Sequence, residues 1–195
     1  MKIKYGKRVL LLVLLLLSGT GTFAAAAGIR GSSALIREER DLQLRNVTME
    51  EIEDIKEREK GGMTGLVNIA GWRHGEAGNI KEPVSGKKEG VGTIYVNGPV
   101  SLAFPGKVLS GSFEAVMDKK DCILTREVSW SLFGSVNTAG CRVAFGDKMY
   151  TVAAVIDREE KAVFFTADEG PVEKAAFSFQ GRGRLKARME ALGFE

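Results

Sequence analysis

The sequence predicts an α+β domain exported across a membrane. Three observations predict it. The apolar period changes from 3.6 to 2 after residue 62, strand and helix patterns then intermingle without regular βαβ spacing, and a basic, leucine-rich stretch precedes them all. With 195 residues, 44% hydrophobic and 27% charged, the chain suits one domain with its own core plus an N-terminal appendage.

Residues 1–27 carry the export signal. Lys2, Lys4, Lys7 and Arg8 precede a Val/Leu run over 9–17, and small residues follow up to Ala25-Ala26-Ala27 and Gly28. A charged start, an apolar centre and a small-residue exit describe a signal peptide cleaved before Gly28. The 19 uncharged residues from Val9 to Ala27 also span about 30 Å as a helix, enough for an uncleaved signal anchor. Either way the basic flank stays cytoplasmic and everything after residue 28 is exported, as a single-pass membrane protein or a secreted one.

The four early cations also explain the net charge of +3, since without them 24 Lys and Arg face 25 Asp and Glu. Nucleic-acid binding needs a positive excess that displaces counterions from phosphates. The exported part has none, so the membrane is an expected partner and nucleic acid is not.

Residues 28–47 read as a tether and 48–195 as the domain. Thr48 and Glu51 form a capping box that opens a helix with Met49, Ile52 and Ile55 on one face, stopped by Gly61-Gly62. Residues 66–72 and 92–96 read as strands, the second ending in the turn Asn97-Gly98-Pro99. Between them, 73–90 is polar and rich in Gly and Lys, which reads as a long hairpin loop or flap. Cys122-Ile123-Leu124 reads as a short buried strand. Residues 126–133 follow as a helix capped by Thr125, stopped by Gly134, with Val128 and Leu132 inward. Residues 142–145 and 149–156 flank Gly146-Asp147-Lys148 as a hairpin. Two strands over 162–166 and 175–179 come next, then a helix over 185–192 with Leu185, Met189 and Leu192 along one face.

Between about residues 104 and 157 runs an ordered string: Leu109-Ser110-Gly111-Ser112-Phe113, Asp118, Cys122-Ile123-Leu124-Thr125, Leu132-Phe133-Gly134-Ser135, Gly140, then Tyr150-Thr151-Val152 leading to Val155-Ile156. In order and spacing it resembles the extracytoplasmic (periplasmic) core domain of MacB-like and FtsX-like ABC transporter permeases, and the resemblance extends over residues 35–195. It implies mixed sheet with a few packing helices after one membrane helix. It also implies a domain that contacts partners or relays conformational change without covalent chemistry, beside permease or ATPase subunits or other envelope proteins. Two departures stand out. Ala154 replaces a typical Gly, and the family's three further membrane helices have no counterpart up to Glu195, so the expected unit is one membrane segment plus the core domain.

No catalytic, cofactor or metal site is expected. His74 is the only histidine and lies in the polar 73–90 stretch, where it reads as a solvated loop residue. One His and two Cys give no metal-ligand spacing, and neither a phosphate-binding loop nor a G-x-S-x-G elbow occurs. Asp157-Arg158-Glu159-Glu160 reads as a solvated turn. The alternative class is a secreted or anchored envelope hydrolase whose Asp, Glu or Ser residues meet only in space. Cys122 and Cys141 either pair as a disulfide, adding roughly 3 kcal/mol by the chain-entropy estimate, or stay buried and reduced. Trp130, on the outer side of the 126–133 helix, and Trp72 are candidate interface anchors, with burial in the core as the other reading.

Overall fold

The structure, a computed structural model, describes residues 35–60, 62, 64–113, 118–181 and 184–194. The expected leader at 1–27 lies outside the described residues. Among the described residues no helix is long and apolar enough to cross a membrane.

In chain order the elements are β1 Leu35–Asp41, a 3-10 turn Gln43–Arg45, α1 Met49–Arg58, β2 Leu66–Lys81, β3 Lys88–Asn97, α2 Val100–Ala103, β4 Val108–Gly111, β5 Asp121–Thr125, α3 Arg126–Phe133, β6 Arg142–Phe145, β7 Lys148–Ile156, β8 Ala162–Thr166, β9 Lys174–Gln180 and α4 Leu185–Ala191. The fold is α+β, as the mixed periodicities predict. The strands share one sheet ordered β1-β9-β2-β3-β8-β5-β7-β4, in which β3–β8 and β5–β7 are parallel. Off this path, β6 bonds to β7 along one edge and to the end of β2 along the other. The pairings therefore run β2-β3-β8-β5-β7-β6 and return to β2. Part of the sheet closes on itself as a small barrel, which removes edges that could pair with other chains.

Alternate residues of the ring strands fill its interior, among them Ile80, Val91, Leu124, Val143, Val152 and Val163, and Val128 and Leu132 of α3 join the same cluster. The opposite face of these strands forms a second cluster, in which Trp72, Ile94, Ile123, Ile156 and Phe164 meet α2 and Phe104. Where β9 and β2 extend beyond the ring, Ile69, Phe177 and Phe179 pack under Met49 and Ile52 of α1 and Met189 of α4. Each such fully buried large side chain contributes about 1.5–3 kcal/mol. The capping box that opens α1 is present: Glu51 N–H donates to Thr48 Oγ1, and Thr48 N–H to the Glu51 carboxylate at 2.9 Å.

Three expectations are corrected. Residues 35–41 are an edge strand rather than tether; the alternation in Leu-Ile-Arg-Glu-Glu-Arg-Asp sets every second side chain against the sheet, and Arg37 donates to the carbonyls of Leu102 (2.8 Å) and Ala103 (3.1 Å) at the end of α2. Residues 73–90 are no loose loop. β2 runs on to Lys81 and pairs with β3 from Lys88, leaving only a tip at 82–87. Two of the glycines that suggest a loop, Gly75 and Gly78, bracket a bulge, while Ile80 and Val91 carry the apolar signal into the barrel. Thr125 does not cap α3 with its side chain. Its hydroxyl instead donates to the Ala162 carbonyl and accepts from the Ala162 N–H, both at 3.2 Å, tying β5 to β8.

Two glycines of the motif string have clear reasons. Gly111 has φ +75°, and a Cβ there would collide with the Ala153 carbonyl of β7. Gly134, at φ 66°, ends α3 in the left-handed conformation and donates its N–H to the Trp130 carbonyl at 2.8 Å.

Candidate functional site

The strand register gives the barrel two unlike ends. At one, β5 runs directly into α3, and Thr125 lies opposite Ile156 of β7. There Val128 and Leu132 turn inward and close the end with aliphatic side chains. At the other, Arg73 pairs with Tyr95, Tyr95 with Phe165, and Phe165 with Cys122. Around this mouth the ring centroids of Tyr95, Phe145 and Tyr150 stand 6.0, 5.2 and 4.5 Å from that of Phe165. Burial beside Tyr95 and Cys122 pushes the Tyr150 phenol up from its ordinary range.

Two clefts of about 690 and 350 Å³ open at the mouth, and both are lined by Arg73 and Tyr95. Gly75 and Gly78 line the larger one, where the rings of Tyr95 and Phe145 fill the space that Cβ atoms would need. The Arg73 guanidinium lies over the Tyr95 ring, its carbon 4.5 Å from the centroid. On another side is the backbone of Gly170, where an added Cβ would approach Nε to 3.3 Å and Nη2 to 3.6 Å. Arg73 Nε is buried and has no hydrogen-bond partner among the described residues. Of the other charges in the smaller cleft, Lys119 pairs with Asp168 at 2.6 Å, which raises the Lys119 ammonium above its ordinary value. Lys148 and Glu169 complete the charged rim.

Next along β2, His74 faces the other side. Its Nδ1 lies 2.6 Å from Glu173 Oε2, which also accepts the His74 backbone N–H at 3.1 Å. Burial pushes the Glu173 carboxyl up, but the His74 hydrogen bonds and the charges of His74 and Arg73 outweigh it, so the carboxyl sits below its usual range. The Glu173 carboxylate thereby ties β2 to the residue that precedes β9.

The cysteines are free thiols, Cys122 buried and Cys141 partly so. The reason is topological. Val152 of β7 pairs with Cys122 on one edge and exchanges hydrogen bonds with Gly140 and Cys141 on the other. Two strand spacings, on the order of 10 Å, separate the cysteines, beyond the ~7 Å that a disulfide spans. Burial pushes the Cys122 thiol far above its ordinary range.

Trp72 is 3% exposed, with its ring 5.1 Å from that of Phe104. This removes it from the interface expectation, because β2 is covered on that face by α2. Trp130 is 53% exposed on the outer side of α3, opposite Val128 and Leu132. Its neighbour Ser131 hydrogen-bonds Glu89 of β3, and with the Lys161 ion pair at 2.7 Å this holds the Glu89 carboxyl below its usual range. Asp157 and Arg158 form ion pairs with Arg126 and Glu160, as suits a solvated turn beside α3.

No family model and no curated protein matches the sequence. Solved structures match its fold. The periplasmic region of MacB from Actinobacillus actinomycetemcomitans superposes with a TM-score of 0.60 at 11% identity, covering 83% of this chain and 81% of that one. The extracellular domain of the ABC-type transporter YknZ from Gram-positive bacteria gives 0.55 at 13% identity, over 82% and 87%. A domain of a permease protein from Porphyromonas gingivalis gives 0.57 at 13%, over 80% and 79%. The chain thus has the fold of the MacB-like periplasmic core domain, which is the fold the motif string implies.

Proposed function

We propose that this chain is an extracytoplasmic domain of an ABC-transporter-type envelope system, working through protein–protein contact or conformational relay and not through covalent chemistry. Likeness to exported transporter domains over four-fifths of the chain supports the reading. The leader at 1–27 delivers the domain, as a membrane anchor or a cleaved signal, and its partners are permease or ATPase subunits or other envelope proteins. Trp130 adds an exposed anchor on the plugged end.

The test is affinity purification of the full chain from solubilised membranes, with mass spectrometry of what accompanies it. A permease or ATPase subunit recovered in stoichiometric amount is the expected result. Recovery of the chain with no envelope partner would overturn the reading.

A further inference from the structure

We propose that an acidic cleft beside α1 receives the cationic side chain, arginine or lysine, of a partner protein, with Glu50, Asp54 and Asn97 as the groups that bind it. The assignment deepens the function proposed above and rests on it for the partner being a protein. The cleft, of about 490 Å³, is lined by Glu50, Glu53, Asp54, Asn97 and Asp168. Spacings of three and four residues set the first three on one face of α1, while Asn97 ends β3 and Asp168 follows β8. Two of the four carboxylates are already neutralised, Glu53 by Lys56 at 3.0 Å and Asp168 by Lys119 at 2.6 Å. Glu50 and Asp54 have neither an ion pair nor a hydrogen bond among the described residues. The mouth cleft that Asp168 also lines supplies no spare cation, since Arg73 and Lys148 there meet Glu169 and Glu173. The α1 dipole accounts for acid only in the first turn. Asp54 lies in the second, four residues from Glu50, where two like charges oppose each other. A cation between them would turn that repulsion into binding.

An independent observation points the same way. Asn97 is 8% exposed, and its Nδ2 donates to the Ala167 carbonyl at 3.3 Å, which leaves Oδ1 as a buried acceptor with no donor among the described residues. Buried Nε atoms without partners also occur at Arg40 and Arg73, but a guanidinium has further N–H groups to use, and Arg40 uses one on Glu38 at 2.9 Å. The Asn97 amide has one acceptor atom only, and it belongs to the wall of a cleft with surplus negative charge. Two free carboxylates and a carbonyl oxygen form a set of acceptors without a donor, which calls for a positively charged group with several N–H donors. Among the described residues no three acidic, His or Cys side chains are placed to hold one metal ion. A guanidinium or ammonium, whose donors point to several acceptors at once, fits this set.

Calorimetric titration of the full chain tests it, with an end-blocked Gly-Arg-Gly-Arg-Gly peptide, its citrulline counterpart, agmatine and calcium chloride as probes. The Arg peptide should bind, and the citrulline peptide, which keeps the shape and loses the charge, should bind at least about tenfold more weakly. The double substitution Glu50→Gln and Asp54→Asn should weaken the Arg peptide about tenfold or more, whereas Glu57→Gln, on α1 outside the cleft, should leave it unchanged. No binding of the Arg peptide, equal binding of the citrulline peptide, undiminished binding by the double variant, or an equal loss with Glu57→Gln overturns the proposal. Agmatine or calcium binding as tightly as the peptide would overturn the partner side chain in favour of a small free cation. Thermal melts of each variant exclude misfolding as a cause, and the citrulline comparison needs no variant. Recovery of a transporter subunit by the double variant at the wild-type yield would remove the cleft while leaving the proposed function intact; failure of the wild-type chain to recover one would remove that function and leave the titration to judge the cleft.

Discussion

The two ends of the barrel use the same strands for different purposes. At the α3 end Val128 and Leu132 are buried aliphatic groups, and the buried hydroxyls nearby are satisfied: Ser129 Oγ bonds to the Ser135 carbonyl at 2.7 Å. At the mouth the inward groups are aromatic and cationic, and one buried donor is unused. What separates the ends is the apolar plug at one and the charged, aromatic rim at the other; buried polar atoms without a hydrogen-bond partner among the described residues are spread over Arg40, Arg73 and Asn97.

Several perturbations separate the ends. The largest effect is expected from Leu132→Ala, which should cost about 3 kcal/mol in urea unfolding by opening a cavity in the plug; a loss below about 1 kcal/mol would mean that α3 does not seal the barrel. Arg73→Ala should change stability by no more than about 1 kcal/mol, since it loses a cation–π contact but also an unsatisfied donor. A loss near the Leu132 value would make Arg73 structural and erase the contrast. Acid comes next. Glu173 and Glu89 both have carboxyls held below the unfolded value, so each stabilises the fold above the ordinary carboxylate range and loses that contribution as pH falls through its folded value. Melting temperature should therefore decline with acid through that range, and Glu173→Gln should flatten the decline. Lys148→Ala, on the rim, should shift unfolding by at most about 0.5 kcal/mol. The least perturbing probe is a thiol reagent. Cys141 should label in the native state and Cys122 only on unfolding, with both thiol hydrogens present in the intact mass.

How much of this was legible depends on which signal each residue carries. The capping box at Thr48 and Glu51, the strand segments 92–96 and 149–156, and the inward face of α3 follow from short-range pattern, and the structure has them. The motif string also led to the right fold. β1 was hidden because an edge strand bonded on one side can keep charge at nearly every position, so Arg-Glu-Glu-Arg reads as solvated chain. The β2–β3 arm is hidden because Gly75 and Gly78 answer to tertiary neighbours, the rings of Tyr95 and Phe145, and only Gly86 to a turn. The cysteines read as adjacent because Cys122 lies in β5 and Cys141 directly precedes β6, both neighbours of β7; only the sheet order shows that they are on opposite edges. Arg73 carried no signal of its own. Its place at the mouth comes from pairing with Tyr95 and from Gly170, distant in sequence.

The most direct test compares the ends in living cells. A photo-crosslinking residue is placed at Lys148 in the otherwise unchanged full chain and, separately, at Trp130. An adduct with a transporter subunit should form from at least one of the two positions. Absence of any transporter-subunit adduct from both positions would contradict the account.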